Sequence, residues 1–562
     1  MKVVIGKQDF ASLRENNYFY IDKTGLIEEW WEAGDDVTLI TRPRRFGKTL
    51  NMSMLNCFFS NKYAKRGDLF EGLEIWNNEK YRELQGTYPV IFLSFAGVKA
   101  DNLQDAKIQI KTQIAELYEQ NRYLLDDDLL SENEKNIFND MNIHMDDALS
   151  FSALNTLCRY LERRHHRKVI VLLDEYDTPM QEAYVNGYWN EFTSFIRNIF
   201  NNTFKTNPYL ERAIMTGITR VSKQSIFSDL NNLNVITTTS EKYSTYFGFT
   251  ENEVFEALEL FNLSERRADV KWWYDGFTFG SHKDIYNPWS IINFLSEKEL
   301  KPYWASTSAN TLVNKLIRTA SPEIKKMMEG LLNNNEIIVS FDEQIIFNQL
   351  DTDENAIWSL LMASGYLRVN SIEYRGLLRK PWYHLAITNL ETLSMFSNMF
   401  SSWFAIGDAH YNKFVEALLN GNLREMNVYM NDIALSTFSS FDTGTHPSGR
   451  SQPERFYHGF VLGLISDLRD IYEIKSNRES GYGRYDVMLI PIDANDSRHD
   501  AIVLEFKVFD SDEENSLADT AKSALRQIEA MNYDTELTDR GIPANRIRHY
   551  GFAFEGKKVF IA

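Results

Sequence analysis

Two apolar segments near the C-terminus, GRYDVMLI at residues 483–490 and IVLEFKV at residues 502–508, decide how the last fifth of the chain is interpreted. Successive side chains of a β-strand point to opposite faces of the sheet. Glu505 and Lys507 therefore share one face of the second strand, and the apolar residues between and around them share the other. A carboxylate and an ammonium thus interrupt a segment whose pattern otherwise predicts a buried strand.

The eight residues DANDSRHD at 493–500 join these two segments. Their composition is typical of a loop, and we expect an antiparallel hairpin that brings Asp486 beside Glu505. Two carboxylates on adjoining strands suit a hard cation, and oxygen ligands favour Mg²⁺ over zinc. Lys507 would then hold the attacking water or neutralise charge on the phosphorus in the transition state. The pattern predicts metal-assisted hydrolysis of a phosphodiester, with Asp486 and Glu505 as metal ligands.

The order of Asp486 and Glu505-x-Lys507 resembles the PD-(D/E)xK nuclease superfamily. The segment that begins at Glu454 has helical spacing that lets Glu454 face the strands. The amphipathic segment 517–531 carries Gln527. The resemblance implies catalytic roles for Glu454 and Gln527, because the superfamily often has an acid on the first helix and a Gln on the helix after the E-x-K strand. Tyr485 replaces the proline of the motif's name and leaves the ligands intact.

A second motif lies near the N-terminus, where the apolar strand 37–40 leads into TRPRRFGKT at residues 41–49 and then into a helical segment. This is the order of a P-loop, in which loop amides and the helix N-terminus bind phosphates. Gly47, Lys48 and Thr49 fit the pattern, with Thr49 as a Mg²⁺ ligand. Arg42 takes the place of the first glycine. We interpret the loop as altered but working, because Arg42, Arg44 and Arg45 add positive charge where a triphosphate would lie.

The segment KVIVLLDEYD at residues 168–177 places five consecutive apolar residues before acids, as in a buried parallel strand. It resembles a Walker B strand, which implies that Asp174 binds the Mg²⁺ shell and that Glu175 orients or deprotonates the hydrolytic water. Further strands are expected at residues 89–95 and 213–217. Thr216 or Arg220 would sense the γ-phosphate.

Most of the chain resembles bacterial proteins that couple an AAA-type ATPase-like domain to a PD-(D/E)xK nuclease-like domain. The strings that carry this likeness are YIDKT (20–24), RPRRFGKT (42–49), LDEYD (173–177), TGITRVS (216–222), YFGFT (246–250), YDGF (274–277) and YNPWS (286–290). The resemblance implies an α/β multidomain fold with a P-loop NTPase (AAA-like) parallel-sheet domain, a helical middle region and a C-terminal restriction-endonuclease-like α/β domain.

The expected domain bounds follow from these motifs and from composition. We expect an ATPase domain at 1–250, a mostly helical lid or winged-helix-like region at 251–435, a linker at 436–453 and a nuclease-like domain at 454–562. The middle region contains LDTDENAIWSLLMASGYLRVN at 350–370, where a helix precedes a strand. Such a module contacts DNA in some proteins and packs against protein in more of them.

Charge and composition limit the functional classes. The 562 residues carry a net charge of −19, and residues 451–562 hold 14 Lys+Arg against 20 Asp+Glu, a balance of −6. This balance disfavours generic electrostatic capture of DNA, so any nucleic acid must be held by local cations or bind after Mg²⁺ offsets the carboxylates. The candidates are Arg455, Arg484, Lys507, Lys522 and Arg526. Cys57 and Cys158 are too few for a disulfide framework or a zinc cluster.

The N-terminus has no signal-peptide pattern and no apolar run approaches ~20 residues, so we expect a cytoplasmic protein without a membrane partner. The hypothesis is an ATP- and Mg²⁺-dependent enzyme in which nucleotide gates a nuclease that acts on nucleic acid, with DNA favoured over RNA, in defence or DNA processing. The alternative is a regulatory or DNA-binding NTPase switch whose nuclease-like domain is inactive. A third hypothesis is that the N-terminal domain is an inert scaffold. AAA-type sites often borrow residues from a neighbour, which is compatible with a homo-oligomer.

Overall fold

The computed structural model describes residues 2–562 apart from 127–128, 220–225, 228–229, 305–312, 314–315, 317–319, 333–334, 344–352, 397–407, 438–460, 463–464, 466–467, 469–470, 481–482, 494–497, 511–513 and 557. The chain forms two compact units. One comprises Met1–Leu316 and Glu336–Thr392, and the other comprises Ile317–Asn335 and Leu393–Ala562. Within the described part of the chain, none of the helices combines the length and the apolar character that a membrane span requires.

The first unit is built on a parallel five-stranded sheet. Its strands are β1 (Val37–Thr41), β2 (Val90–Ser94), β3 (Val169–Asp174), β4 (Leu210–Gly217) and β5 (Leu233–Ile236), in the order β2-β3-β4-β1-β5. Every residue of β1 and of β3 is buried, as their continuous apolar sequences predict. The predicted α/β fold and its four strands are confirmed. The fifth strand, LNVI, lies at the edge beside β1 and was not predicted from its short sequence.

Helices cover this sheet, and the ends of several are fixed by side-chain caps. They are α1 (Phe10–Glu15), α2 (Gly25–Ala33), α3 (Lys48–Phe59), α4 (Glu79–Leu84), α5 (Leu103–Gln120), α6 (Glu132–Asp140), α7 (Asp147–His165), α8 (Thr178–Val185) and α9 (Trp189–Phe204). Ser131 and Glu134 form a reciprocal capping box at the start of α6. One core cluster joins Trp30 of α2 and Phe58 of α3 to Ile40 and Ile214 of the sheet.

The rest of the first unit mixes helices with two small sheets. The helices are α10 (Glu251–Leu260), α11 (Arg267–Tyr274) and α12 (Pro288–Glu297), with α14 (Ala356–Ala363) later, after α13 (Pro322–Leu332), which belongs to the second unit. The strands are β6 (Phe249–Thr250), β7 (Phe277–Phe279), β8 (His282–Tyr286), β9 (Ile337–Val339), β10 (Leu367–Arg375) and β11 (Lys380–Ile387). They form the antiparallel sheets β6-β8-β7 and β10-β11-β9.

The second unit contains a mixed five-stranded sheet. Its strands are β12 (Tyr472–Ser480), β13 (Gly483–Pro491), β14 (Ala501–Val508), β15 (Ile547–Glu555) and β16 (Lys558–Ile561), in sequential order. Only β14 and β15 run parallel. The helices described here are α13, α15 (Asp408–Asn420), α16 (Leu423–Thr437), α17 (Leu517–Ala530) and α18 (Thr535–Asp539). Helix α17 packs on one face of the sheet, where Ile528 meets Val503.

Helices α15 and α16 pack on the opposite face. Phe414, Leu418 and Met430 share a core cluster with Leu504 and Phe506. Asn427 and Asn431 hold the edge strand β16 through side-chain bonds to the backbone of Ile561 and Val559.

Two structural features differ from the expected domain bounds. The first compact unit continues through residue 250 without a break, and it takes up β6–β11 from the region expected to be mostly helical. The helix pair at 408–437 belongs with the C-terminal sheet, because its apolar faces pack there. Residues 438–453 of the expected linker lie outside the described residues, while 436 and 437 end helix α16.

Candidate nucleotide and metal sites

The loop between β1 and α3 has the backbone of a phosphate-binding turn. Gly47 lies at φ 79°, a left-handed conformation that favours glycine, and it caps α3. Arg45 also lies in this region, at φ 64°, which a non-glycine residue rarely adopts. The loop follows the C-terminal end of β1, the edge at which parallel sheets bind ligands. The free amides of the first turn of α3 therefore point toward this edge.

Lys48 and Thr49 link this loop to the acidic end of β3. The Lys48 ammonium donates to the carbonyl oxygens of Arg42 (3.1 Å) and Pro43 (2.9 Å), and it lies 3.8 Å from Glu175 Oε1. Thr49 Oγ1 donates a 2.7 Å hydrogen bond to Asp174 Oδ2. Hydroxyl and carboxylate oxygens in this arrangement form a donor set that suits Mg²⁺. The two motifs predicted from sequence are thus adjacent in the fold.

Strand β4 separates β3 from β1 and contributes Thr216 to the same edge. Thr216 donates its hydroxyl to Asp174 Oδ1. Burial raises the pKa of the Asp174 carboxyl above its usual value, and the hydrogen bonds from Thr216 and Thr49 oppose that rise. Glu175 directly follows β3 at φ 53°, and its carboxylate lies 3.8 Å from the Lys48 ammonium. Arg220, the other sensor candidate, lies outside the described residues.

A cavity of about 850 Å³ opens over this loop. Its walls include Arg45, Lys48 and Thr49 on one side, Glu175 and Thr219 on another, and the aromatic residues Phe19, Tyr246 and Trp289. Small-molecule sites have volumes of roughly 300–1,000 Å³ and combine apolar walls with a few polar groups. The cavity therefore has the size and the lining for a nucleotide. Its phosphates would lie near Lys48 and its base near the aromatic wall.

Arg42 does not contribute to the positive charge of this cavity, contrary to the sequence interpretation. Its fully buried guanidinium donates to the carbonyl oxygens of Thr41 and Thr237, both at 2.8 Å. The guanidinium carbon lies 4.7 Å from the ring centroid of Phe279 and 5.6 Å from that of Phe247. Burial lowers the pKa of Arg42 to about 9. Arg42 thus anchors the start of the loop to the protein interior, and Arg44 and Arg45 line the cavity.

Asp177 is a buried carboxylate to which sequence analysis assigned no role. Its Oδ2 accepts hydrogen bonds from the amides of Ile218 (3.0 Å) and Thr219 (2.7 Å) and from the Thr219 hydroxyl (2.7 Å). Burial and the neighbouring charge of Glu175 raise the pKa of Asp177. Asp177 therefore holds the segment after β4 beside the cavity. The available signal was its position, three residues after Asp174 in one motif.

The C-terminal site begins where β13 and β14 separate. These strands pair antiparallel from Val487↔Leu504 to Leu489↔Ile502, as the hairpin predicts. Beyond that pairing, Asp486 Oδ2 accepts the Phe506 amide at 2.8 Å, so a side-chain carboxylate replaces the backbone acceptor of the neighbouring strand. Asp486 consequently lies beside residues 505–507.

Glu505 faces helix α17, while Leu504 and Phe506 lie in the core cluster on the other side of the sheet. Glu505 is only 3% exposed. Gln527 of α17 donates its amide to Glu505 Oε1 and also contacts the Tyr533 hydroxyl at 3.3 Å. Burial, followed by the charges of Glu505 and Asp486, raises the pKa of Tyr533. Asp486 bonds to the backbone of Phe506, the residue after Glu505, and Gln527 bonds to Glu505 itself, so these three predicted residues lie around one strand end.

The close approach of α17 to the sheet depends on Gly551. Strand β15 pairs Gly551 with Glu505. A Cβ atom at Gly551 would lie 2.3 Å from the Ala521 carbonyl oxygen, so a larger residue must displace the helix. Lys507 lies two residues after Glu505 on the same face of β14, and Lys522 and Arg526 are exposed on α17. Glu454 and Arg455 lie outside the described residues, and the position of their side chains stays a prediction.

Comparisons with known proteins agree with this geometry. Residues 4–227 match the family model for a predicted AAA-ATPase. Residues 452–562 match the model for the PD-(D/E)XK nuclease superfamily. The chain joins an AAA-ATPase-like domain to a PD-(D/E)XK nuclease-superfamily domain. Both domains are of hydrolase type, so the chain is an enzyme, and domains of these two kinds generally use ATP and a divalent metal ion.

A relative from Azotobacter chroococcum mcd 1 is described as an uncharacterized protein in the vnfD 5′ region. It is 29% identical to this chain over 399 residues, which make up 69% of this chain and 68% of that protein. The predicted resemblance and fold class are confirmed by the family matches. The roles of individual site residues stay predictions that rest on the contacts described above.

Proposed function

We propose that the AAA-ATPase-like domain binds and hydrolyses ATP and thereby gates a Mg²⁺-dependent phosphodiesterase that acts on nucleic acid. The observation that carries the proposal is that hydrogen bonds hold Asp486 and Glu505 in place at one end of the sheet, with Gln527 as the partner of Glu505. Asp486 holds the Phe506 amide, and Gln527 holds Glu505, so two carboxylates are fixed on adjoining strands. Lys507 shares the strand face of Glu505. DNA is the favoured substrate, in defence or in DNA processing.

In the nuclease-like domain, Asp486 and Glu505 would hold Mg²⁺, with Glu454 as a third acid. Bound there, the metal would supply Lewis-acid stabilisation of the phosphorane charge. Gln527 orients Glu505, and Tyr533 limits the movement of Gln527. Lys507 positions water and offsets charge at the scissile phosphate. The carboxylates keep their arrangement before substrate arrives because each is held by an amide donor.

In the ATPase-like domain, Lys48 would exchange its bonds to the Arg42 and Pro43 carbonyl oxygens for phosphate oxygens. Thr49 and Asp174, already bonded to each other, would hold the Mg²⁺ that accompanies ATP. Glu175 would activate or orient water, since its carboxylate lies at the end of β3 and within 3.8 Å of Lys48. Thr216 reaches Asp174 and would report the state of the phosphate.

The proposal is tested with the purified full chain, Mg²⁺, and labelled single-stranded DNA, duplex DNA and RNA. Each substrate is incubated without nucleotide, with ATP and with ADP. We expect Mg²⁺-dependent cleavage whose rate changes with nucleotide, loss of cleavage in Lys507→Ala, and loss of nucleotide control in Lys48→Ala. Lys558→Ala and Lys65→Ala remove exposed lysines from the same two units and serve as controls.

The outcomes separate the proposal from its alternatives. ATP turnover without cleavage under any condition would support a regulatory NTPase switch whose nuclease-like domain is inactive. Absence of ATP binding would support an inert scaffold. Cleavage at one rate with every nucleotide would remove the gating part of the proposal and leave the nuclease part.

A further inference from the structure

The hairpin of β10 and β11 carries two aliphatic side chains in full contact with solvent. Leu377 is 102% exposed and Leu378 is 92% exposed, and they are adjacent at the tip. Scattered exposed apolar residues are ordinary on protein surfaces. Two neighbouring leucines with no packing partner at the end of a projecting element instead indicate a surface that becomes covered by a partner.

The hairpin is a two-stranded ribbon over its outer half. Strands β10 and β11 pair out to Arg375↔Lys380, whereas β9 pairs with β11 only at residues 383–385. The four-residue turn between the strands is ordered by the Arg379 amide, which donates to the Gly376 carbonyl oxygen at 3.1 Å. Gly376 lies at φ 71° and Arg379 at φ 48°, both left-handed. The leucines are therefore presented by a defined turn.

Cations surround the leucines. The seven residues YRGLLRK at 374–380 contain Arg375, Arg379 and Lys380 and no acid, in a chain of net charge −19. Arg379 lies over the Tyr374 ring at 5.2 Å, and Arg375 lies over the Trp382 ring at 4.6 Å. Arg375 also pairs with Glu373 at 2.7 Å. Arg379 and Lys380 thus form a positively charged patch beside the leucines, and this charge is complementary to that of a polyanion.

Helix α14, which precedes this hairpin, is not available for recognition. Its residues Ile357–Met362 are buried without interruption. In the winged-helix-like reading of this region, a helix and a neighbouring hairpin both offer contacts. Here the hairpin alone reaches solvent with charged and apolar groups. Of these two elements, only the hairpin can contact a partner, through residues 374–382.

We propose that this hairpin binds duplex nucleic acid and that Leu377 and Leu378 insert between base steps in the minor groove. Arg379 and Lys380 contact the flanking phosphates, and Arg375 supports the ribbon through Trp382 and Glu373. Apolar wedges combined with Arg and Lys are the means by which minor-groove proteins unstack base steps. The assignment of a nucleic-acid partner rests on the proposed nuclease function. The hairpin contributes two exposed cations, Arg379 and Lys380, in a chain whose net charge of −19 opposes contact with a polyanion.

The test measures binding separately from cutting. Fluorescence anisotropy with a labelled duplex in EDTA measures the affinity of each full-length protein for the duplex. The proteins compared are wild type, Leu377→Ser/Leu378→Ser, Arg379→Gln/Lys380→Gln and the control Lys62→Gln/Lys65→Gln. All changed side chains are exposed. We expect about tenfold weaker binding in both hairpin variants and no change in binding in the control. The dependence of log K on log salt should flatten by about 2 only in Arg379→Gln/Lys380→Gln.

A duplex containing 2-aminopurine adds a readout for the wedge. Its fluorescence should rise when wild type unstacks the base step, and the rise should disappear in Leu377→Ser/Leu378→Ser. Equal affinity of wild type and both hairpin variants would overturn the inference while leaving Mg²⁺-dependent cleavage, and hence the proposed function, intact. Flotation with anionic vesicles that depends on the leucines, without duplex binding, would also overturn it in favour of a membrane surface. If the wild-type protein neither cleaves nor binds the duplex, both proposals are refuted.

Discussion

The guanidinium carbon of Arg45 lies 3.7 Å from the ring centroid of Trp289, and both side chains line the cavity that contains Lys48. Burial, and secondarily the charge of Arg44, lowers the pKa of Arg45. The cation is thus held by an aromatic ring beside the place proposed for phosphates. A phosphate anion is a stronger partner for arginine than an indole ring, because the two form charge-assisted hydrogen bonds.

ATP binding is therefore expected to draw Arg45 away from Trp289 and to change the emission of that indole. Arg45→Ala should weaken ATP binding about tenfold, the loss of one charge-assisted bond. Trp289→Phe keeps a ring and should remove the emission change. Titration of ATP while following tryptophan fluorescence measures both effects. An emission change that persists in Trp289→Phe would contradict the assignment.

Glu175→Gln should separate nucleotide binding from turnover. The amide keeps the size of the side chain but cannot accept a proton, so we expect kcat for ATP hydrolysis to fall by about 10²–10⁴ while ATP affinity is retained. Phosphate release and equilibrium binding of labelled ATP measure the two quantities. Glu191→Gln, an exposed position on α9, is the matched control. Unchanged kcat in Glu175→Gln would exclude this carboxylate from catalysis.

Gly551→Ala should impair the C-terminal site without touching the ATPase-like domain. The new Cβ would meet the Ala521 carbonyl oxygen at 2.3 Å, so α17 must move and take Gln527 away from Glu505. We expect cleavage to fall about 10-fold or more and ATP turnover to stay at the wild-type rate. Gly330→Ala makes the same change where no atom lies within 4 Å, and it should preserve both activities. Full cleavage by Gly551→Ala would contradict the positioning role of α17.

The Asp275 carboxyl gives the first unit a distinct pH dependence. Burial, with a hydrogen bond and charge repulsion from Asp284, raises the pKa of Asp275 to about 7, and the charge of Lys271 opposes the rise. The folded protein therefore holds a proton that the unfolded chain releases near pH 4. Stability from this group is complete below about pH 4 and declines as the pH rises to about 7.

Asp275→Asn should flatten that decline and raise the free energy of unfolding at pH 8. We expect a gain of about 1–2 kcal/mol, less than the whole shift would give, because Lys271 and solvent screen the charge. Thermal melts from pH 4 to pH 8 measure the profile. Asp269→Asn, at an exposed position on the helix that ends just before Asp275, should leave the profile unchanged. A parallel profile for wild type and Asp275→Asn would show that Asp275 ionises normally.

Sequence patterns were sufficient where local chemistry decides structure. The continuous apolar residues of β3 predict a buried parallel strand, and the alternation around Glu505 predicts a strand with one polar face. The Asp486 and Glu505 segments are joined by a short polar link, so their pairing could be predicted as well. These features depend on neighbours along the chain, which is why they could be found without a structure.

Long-range partners could not be predicted in this way. Arg42 bonds the Thr237 carbonyl, 195 residues away, and nothing in the loop sequence indicates a buried guanidinium. Lys23 pairs with Glu253 across 230 residues. Helices α15 and α16 show apolar faces in the sequence, but their packing on the C-terminal sheet depends on tertiary contacts. Tyr533 and Asp177 gained their roles only from the groups around them.

Calorimetric titration of Mn²⁺ into the full chain, without nucleotide or nucleic acid, tests the central claim most directly, because the claim is that separate carboxylates share one metal. We expect one class of C-terminal sites in wild type, with affinity weakened about tenfold or more in each of Asp486→Asn, Glu505→Gln and Glu454→Gln. Lys507→Ala should retain the metal while losing cleavage. Mn²⁺ affinity that stays at the wild-type value in all three carboxylate variants would contradict the shared centre.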